Sequence, residues 1–156
     1  SGVLVFAKGE EAKRHLQGQW EETEKRYLAV VHGTPKDRTG RITTCLAENR
    51  AHTVYVTPDA VRGRLSHTDY AVLREARAFS LLEVRLLTGR KHQIRVHLAE
   101  KGHPVVGDQR YGRGDDGHRR LALHALSISF RHPFSGERLT FEAPAPGYFN
   151  RLVEGP

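Results

Sequence analysis

Residues 88–98 read Thr88-Gly-Arg-Lys-His-Gln-Ile-Arg-Val-His-Leu98 and crowd cationic side chains at the start of a predicted helix. We predict this helix over 91–101, because Ile94 and Leu98 are spaced to share a face and Gly102 suits the residue after its end. A helix N-terminus carries partial positive charge and normally attracts acidic side chains. The cations therefore indicate that a phosphate or a buried carboxylate binds here. A solvated basic surface is the alternative interpretation.

The rest of the chain is typical of many short strands with few helices. A first helix is predicted over 10–20, where Ala12, Leu16 and Trp20 are spaced four apart. Period-two or apolar runs predict strands over 25–32, 42–46, 53–57, 69–73, 79–87 and 126–130, with a closing hairpin strand over 139–141. Residues 1–8 also read as the inside of a strand. This order lacks regular β-α-β alternation, so it predicts an α+β fold with a mostly antiparallel sheet.

Length and composition restrict the function further. The 156 residues fit one domain, and 25 Lys plus Arg against 18 Asp plus Glu give a formal charge of +7. This basic balance favours a polyanionic partner, most often nucleic acid. Cys45 is the single cysteine, which excludes internal disulfides and zinc sites built on cysteine pairs and favours a reducing, cytoplasmic compartment. No apolar run reaches the roughly 18 residues of a membrane span, so we expect no membrane association.

Two apparent ligand motifs are rejected. Residues 112–117 match G-x-G-x-x-G, but no buried strand leads into them, and Asp115 and Asp116 would repel a pyrophosphate. His92 and His97 are five residues apart and would diverge by about 140° on a helix. We therefore expect neither a metal nor a dinucleotide cofactor.

Several segments resemble one enzyme family. The block 88–98, followed by Lys101-Gly-His-Pro-Val-Val-Gly-Asp-Gln-Arg-Tyr-Gly112, resembles the signature block of the RluA-type pseudouridine synthases. Residues 25–33 are similar to that family's tyrosine motif, and 123–125, 130–133 and 141–144 to its C-terminal strands. Ser1-Gly-Val-Leu-Val-Phe-Ala-Lys8 resembles the segment after its catalytic H-R-L-D-x-x-T motif. The resemblance runs from Ser1 to about Pro146.

The resemblance implies the pseudouridine synthase catalytic fold, an α+β fold whose mixed, largely antiparallel sheet has flanking helices. Residues 1–156 would be a catalytic domain without its N-terminal portion, and the nucleophilic Asp is expected four residues before Ser1. The family isomerises uridine in RNA: the N1–C1′ bond breaks, the base rotates and C5 bonds to C1′, without metal or cofactor. The implied partner is ribosomal or transfer RNA, and we expect a monomer.

The resemblance also assigns roles to individual residues. Arg95 would pair with the upstream Asp and keep it ionised. Tyr27 would lie against the uracil and is a candidate to take the C5 proton, although a core-facing tyrosine is the alternative. Ile94 would pack on the other side of the base. The remaining binding assignments, for phosphate, ribose or loop positioning, are Arg90, Lys91, His92, Gln93 and, more weakly, an exposed strand-end Lys25.

The main alternative function is a noncatalytic RNA-binding domain of the same fold. The residue four before Ser1 discriminates between the two, because only the enzyme needs an Asp there. A DNA-binding module is disfavoured, since no helix-turn-helix or finger pattern occurs in the sequence.

Overall fold

The computed structural model describes residues 1–154, which contain three helices and seven strands. In chain order these are α1 (Glu10–Gly18), β1 (Glu24–His32), β2 (Thr39–Glu48), β3 (Val54–Thr57), β4 (Arg64–Glu75), β5 (Phe79–Leu86), α2 (Gln93–Glu100), β6 (Leu123–Arg131), β7 (Arg138–Glu142) and α3 (Gly147–Glu154). The strands form one sheet in the order β3-β2-β4-β5-β1-β6-β7, and all its neighbours are antiparallel. The predicted α+β class is confirmed.

The register of the sheet places α2 and Tyr27 on the same face. Tyr27 pairs with Val84, and Val84 pairs with Tyr70 across β5 and β4. Directly paired residues share a face, as do residues two apart on a strand, so Thr68 belongs to this face too. The Thr68 hydroxyl accepts a hydrogen bond from the Gln93 side chain of α2 at 2.9 Å. The start of α2 is thereby held above the same surface as Tyr27.

Helix α3 covers the opposite face and was missed in the sequence. Leu28 follows Tyr27 and so points the other way, and it pairs with His124 of β6. The His124 ring contacts the Phe149 ring of α3 with centroids 6.1 Å apart. Phe149 and Val153 are 1% and 3% exposed, which buries one side of α3 against the sheet. The flanking helices therefore enclose the sheet from both sides.

The N-terminal segment differs from the prediction. Residues 1–8 are not a strand; their β-type pairing is a single parallel bridge between Gly2 and Ala125. The Val3 N–H donates to the Ala125 carbonyl at 2.9 Å, and the Ala125 N–H donates to the Ser1 carbonyl at 2.9 Å. Beyond this bridge Leu4 and Phe6 are 73% and 81% exposed, so the alternating apolar residues have no sheet face to cover.

Other boundaries shift by a few residues. Helix α1 ends at Gly18 rather than residue 20, and α2 begins at Gln93 rather than residue 91. Strand β4 runs from Arg64 to Glu75, longer than the predicted 69–73, because it is paired on both sides by β2 and β5. Within residues 1–154 no helix is both long enough and apolar enough to cross a membrane.

Candidate active site

A cavity of about 200 Å³, here called the central cavity, opens between β1 and the start of α2. Its lining residues are Tyr27, Leu86, Arg90, His92, Gln93, Ile94, Arg95 and Leu123. The fold thus gathers all the predicted site residues around one space except Lys25 and Lys91. Ile94 is 4% exposed and belongs both to this lining and to the main hydrophobic core, so one wall of the cavity is rigid and apolar.

Tyr27 reaches the central cavity at an irregular point of the sheet. Arg26 pairs with Ser127 but Tyr27 pairs with Ala125, so β6 carries one extra residue between them. Such a β-bulge twists a strand and changes the direction of nearby side chains. Burial raises the pKa of the half-buried Tyr27 phenol. Its hydroxyl is therefore neutral at pH 7 and can act as a hydrogen-bond donor.

The Arg95 guanidinium is held by a carboxylate from the same chain. Its Nε donates to Asp108 Oδ2 and its Nη2 to Asp108 Oδ1, both at 2.7 Å. Burial alone would raise the pKa of Asp108, but it is outweighed by hydrogen bonds from Arg95 and from the backbone N–H groups of Tyr111 and Arg110, which lower it. The hydrogen bond to Asp108 raises the pKa of Arg95 in turn. Both groups remain ionised, and the bidentate geometry fixes the guanidinium plane.

This pairing bears on the role expected for Arg95. Two of its three nitrogens bind Asp108, and Nη1 is the nitrogen for which residues 1–154 supply no hydrogen-bond partner. The buried carboxylate expected at this segment is thus found, and it comes from the Gly107–Gly112 part of the signature block. A second acidic group could bind Arg95 through the two N–H groups of Nη1 or the second N–H group of Nη2.

Tyr111 contacts two residues of the site, Arg95 and His92. Its ring lies 4.9 Å from Arg95 Cζ, close enough for a cation–π interaction. Its hydroxyl is 2.8 Å from His92 Nδ1 and accepts the Val54 N–H at 3.0 Å. His92, the residue before α2, has a φ of 53°, a left-handed conformation that is unusual for a residue other than glycine. Tyr111 therefore orients Arg95 while it holds a strained backbone position.

Asp108 and Tyr111 were not selected from the sequence. Their spacing has a physical reason, because the Tyr111 N–H donates to Asp108 Oδ1 at 2.9 Å in a local turn. The sequence offers one indication of their importance, because both residues lie in segment 101–112, which resembles the signature block of the family. The contacts with Arg95 could be recognised only after α2 and this turn were brought together.

Gln93 is a buried residue whose amide is occupied by the protein. It is 1% exposed, and its Oε1 accepts the Thr88 hydroxyl at 2.8 Å and the Arg90 N–H at 3.0 Å. Its Nε2 donates to the His67 carbonyl and the Thr68 hydroxyl, both at 2.9 Å. These four contacts tie the segment before α2 to β4. Gln93 therefore positions the loop rather than offering free polar atoms to a ligand.

His97 completes this polar layer beneath α2. Its ring nitrogens lie 2.9 Å from the hydroxyls of Thr44 and Thr68, and the side chain is fully buried. Burial, with a smaller contribution from His67, lowers the pKa of His97 to about 4. Neutral His97 therefore links α2 to both β2 and β4 at physiological pH.

Lys25 does not have the exposed position expected from the sequence. It is 2% exposed, its Nζ donates to the Trp20 carbonyl at 2.5 Å, and Nζ lies 5.0 Å from the Trp20 ring centre. Burial lowers its pKa. The same indole approaches Gly89 so closely that a Cβ there would lie 2.6 Å from Nε1. Lys25 is thus buried beside Trp20 and has almost no exposed surface for a phosphate, while Trp20 itself packs on Gly89.

Lys91 and Arg90 occupy the outer edge of the site. Lys91 lies outside the central cavity, and its Nζ donates to Glu48 Oε1 at 2.5 Å. Lys91 and His52 together lower the pKa of Glu48 by hydrogen bonding. Arg90 differs, since its Nε is buried and has no hydrogen-bond partner among the described residues. The Arg90 side chain thus forms no ion pair and no hydrogen bond among the described residues.

Comparison with known proteins identifies the family. The RNA pseudouridylate synthase family model matches residues 1–100. Ribosomal large subunit pseudouridine synthase C of Vibrio parahaemolyticus is 35% identical over 99% of this chain and 51% of its own length. Ribosomal large subunit pseudouridine synthase D of Zymomonas mobilis is 37% identical over 94% and 50%. Among solved structures, human RNA Pseudouridylate Synthase Domain Containing 1 superimposes with a TM-score of 0.74 at 31% identity, covering 87% of this chain and 59% of that one.

The antiparallel α+β fold of this chain is thus shared with an RNA pseudouridylate synthase domain protein. The chain belongs to the RNA pseudouridylate synthase family, which confirms the resemblance to its RluA-type members. The chain spans about half the length of the curated relatives it matches.

Proposed function

We propose that residues 1–156 form the catalytic domain, without its N-terminal portion, of an RNA pseudouridine synthase that isomerises specific uridines. The observation that carries this proposal is the convergence of Tyr27, Ile94 and Arg95 on the central cavity. Both bacterial relatives described above are named for the ribosomal large subunit, which supports ribosomal RNA as the substrate, with transfer RNA as the other candidate. We place the enzyme in the cytoplasm as a monomer.

Binding begins with extrusion of the target uridine from its stack. Unstacking costs a few kcal/mol, which contacts to the flipped base must offset. The Tyr27 ring and the Ile94 side chain supply two apolar surfaces for the uracil, and Arg90 and His92 lie at the cavity edge for phosphate and ribose. The pKa of His92 is lowered by burial and then by the nearby Arg95 and Lys91, so it contributes a neutral hydrogen-bonding ring at pH 7.

The nucleophile is expected from the residues before Ser1. The Ser1 nitrogen lies 3.3 Å from the Leu123 carbonyl oxygen, and Leu123 lines the central cavity. Four residues can span at most about 13 Å, so an Asp at the family's position would have the cavity within reach. Arg95 Nη1 would then pair with it while Asp108 keeps the guanidinium in place. This cation would hold the carboxylate ionised for attack.

The reaction is an isomerisation, so uridine and its product contain the same atoms. The N1–C1′ bond breaks, the uracil rotates in the cavity, the C5–C1′ bond forms, N1 gains a proton and C5 loses one. Because the Tyr27 hydroxyl is neutral, it can take the C5 proton only as it passes its own proton to another acceptor. Tyr27 therefore acts as a relay in this scheme.

Tritium release from [5-³H]uridine RNA tests the proposal. The protein extended through its upstream residues should release tritium, while residues 1–156 alone and the extended protein with the upstream Asp replaced by Asn should not. If the extended protein binds RNA but releases no tritium from any cellular RNA, the noncatalytic RNA-binding alternative replaces the enzyme assignment.

A further inference from the structure

A second cavity of about 320 Å³, here called the flanking cavity, lies beside the central cavity. It is lined by Leu46, Ala47, Glu48, Val54, Arg62, Arg64, Arg90 and Lys91. Arg90 lines both cavities, so they are neighbours. The function proposed above uses the central cavity alone and leaves Arg62 and Arg64 without a role.

The charge of the flanking cavity is strongly unbalanced. Four of its lining side chains are cationic and Glu48 is its one carboxylate. Glu48 pairs with Lys91, and Arg62 pairs weakly with Asp59 at 3.3 Å, in contacts that are largely exposed to solvent. Arg64 forms no ion pair among residues 1–154. Arg90 adds a buried Nε without an acceptor. The protein itself therefore does not neutralise Arg64 and Arg90.

The remaining lining is apolar and lies on the sheet. Leu46 pairs with Arg64 across β2 and β4, and Leu46 also pairs with Val56 of β3. Leu46 and Val54 are both 5% exposed and belong to a small core cluster with Val96 of α2. Arg64 thus lies on the same sheet surface as these buried residues, and Arg62 and Arg90 lie in the loops beside it. A rigid apolar floor with a cationic rim suits a nucleotide, because the face of its base is apolar and its phosphate is anionic.

We propose that the flanking cavity binds the RNA nucleotide adjacent to the target uridine, with Arg64 and Arg90 on its phosphates and Arg62 at the outer rim. This inference rests on the proposed function, because the flipped uridine fixes which nucleotide enters the flanking cavity. The strand passes from the central cavity over Arg90, whose side chain forms no ion pair and no hydrogen bond among residues 1–154. Arg62 and Arg64 are thereby assigned as RNA-positioning residues.

The test combines substitutions in the protein and in the RNA. The probe is a fluorescent oligoadenylate with one uridine, in which single phosphates are replaced in turn by neutral methylphosphonates. Binding to the extended protein, wild type or with Arg64→Gln or Arg62→Gln, is measured by anisotropy over a salt series. Arg77→Gln is the matched control, because Arg77 is exposed and lies beyond the far end of β4, about 35 Å along the strand from Arg64.

We expect Arg64→Gln to reduce the slope of log K against log salt by about 0.7, the value for one single-strand phosphate contact. A methylphosphonate next to the uridine should weaken binding to the wild type and to Arg77→Gln, but not further weaken Arg64→Gln, since the two changes remove one contact. Arg62→Gln should give a smaller change of the same sign.

Equal salt slopes in Arg64→Gln and Arg77→Gln, or independent effects of Arg64→Gln and every methylphosphonate, overturn the flanking-cavity proposal. If tritium is nevertheless released by the wild type, the proposed function stands without it. Absence of both RNA binding and tritium release overturns the two proposals together.

Discussion

Asp108 determines how Arg95 behaves, because the two side chains form the one bidentate ion pair that joins α2 to the segment after it. The Asp108 carboxylate is fully buried while Arg95 keeps 18% of its side chain exposed at the central cavity. A buried carboxylate is tolerated only while its partner is present. Under the proposed function, Arg95 would serve both stability and catalysis, so substitutions of Arg95 must be interpreted with both in mind.

Replacement of Arg95 by Leu should reverse the pH dependence of stability at this site. In the wild type the pKa of Asp108 is depressed, so its contribution is present above the unfolded value of about 3.9 and is lost as the pH falls through the folded pKa. Without Arg95, burial should raise this pKa, and stability should then decrease as the pH rises above about 4. We expect a loss of about 3 kcal/mol at pH 7.

Urea unfolding of the wild type and Arg95→Leu between pH 3 and 7 measures this effect, with Arg77→Leu as the exposed-arginine control. Parallel pH profiles for the wild type and Arg95→Leu would show that Asp108 does not depend on Arg95. In the tritium assay Arg95→Lys should recover little activity, because a lysine cannot reproduce the planar grip on two carboxylate oxygens.

Replacement of Tyr27 by Phe should separate binding from catalysis. The ring face that stacks on the base is retained, so RNA affinity should change little, while product formation should slow by about 100-fold or more if the hydroxyl relays the C5 proton. Anisotropy gives the first quantity and tritium release the second. Weak binding with normal turnover would make the hydroxyl a binding group and place the proton acceptor elsewhere.

At the scale of elements, sequence patterns were reliable where a local rule applied. The cations crowded around the start of α2 indicate a phosphate or a buried carboxylate, and the buried Asp108 carboxylate binds one of them, Arg95. Helix α3 also carried a readable signal, Phe149 and Val153 four residues apart, but the preceding Pro144-Ala-Pro-Gly147 is typical of a loop and concealed it. A helical spacing of apolar residues is easily overlooked when the residues before it are typical of a loop.

The rest depended on contacts between distant residues. Lys91 and Glu48 are 43 residues apart, and nothing near either of them in the sequence indicates that they meet. The strand end at Lys25 was expected to be exposed, and only the fold places Trp20 over it. Tertiary contacts decide whether a lysine at a strand end is exposed and can bind phosphate, or is buried.

The polar layer below α2 should make the helix sensitive to acid. His97 has a pKa of about 4 in the folded chain against about 6.5 unfolded, so its contribution is present above pH 6.5 and is lost as the pH falls toward 4. The difference corresponds to about 3 kcal/mol. His97→Gln should remove this part of the pH dependence, whereas the exposed control His15→Gln should keep it.

Unfolding by urea at pH 7 and pH 4.5 compares the three proteins. If His97→Gln loses as much stability on acidification as the wild type, the acid sensitivity comes from other groups.

At the scale of the whole molecule, the formal charge of +7 should make RNA binding strongly dependent on salt. Glu48 opposes this charge at the edge of the site by holding Lys91. Glu48→Gln should therefore strengthen RNA binding and steepen the salt slope by up to about 0.7. Glu75→Gln, at the far end of β4, is the control. Anisotropy titrations in which Glu48→Gln and Glu75→Gln behave alike would show that Lys91 makes no phosphate contact.

The order of strands in the sheet also affects how the chain folds. Strands β2 to β5 form three antiparallel pairs among themselves, β2–β3, β2–β4 and β4–β5, and β6 with β7 forms a fourth. Strand β1, synthesised before all of them, pairs with β5 and β6, so both of its neighbours arrive much later along the chain. Pairings of such high contact order are slow to form. Tyr27 thus lies on the strand that should be completed last, and a chaperone that shields β1 during synthesis would protect the site as well as the fold.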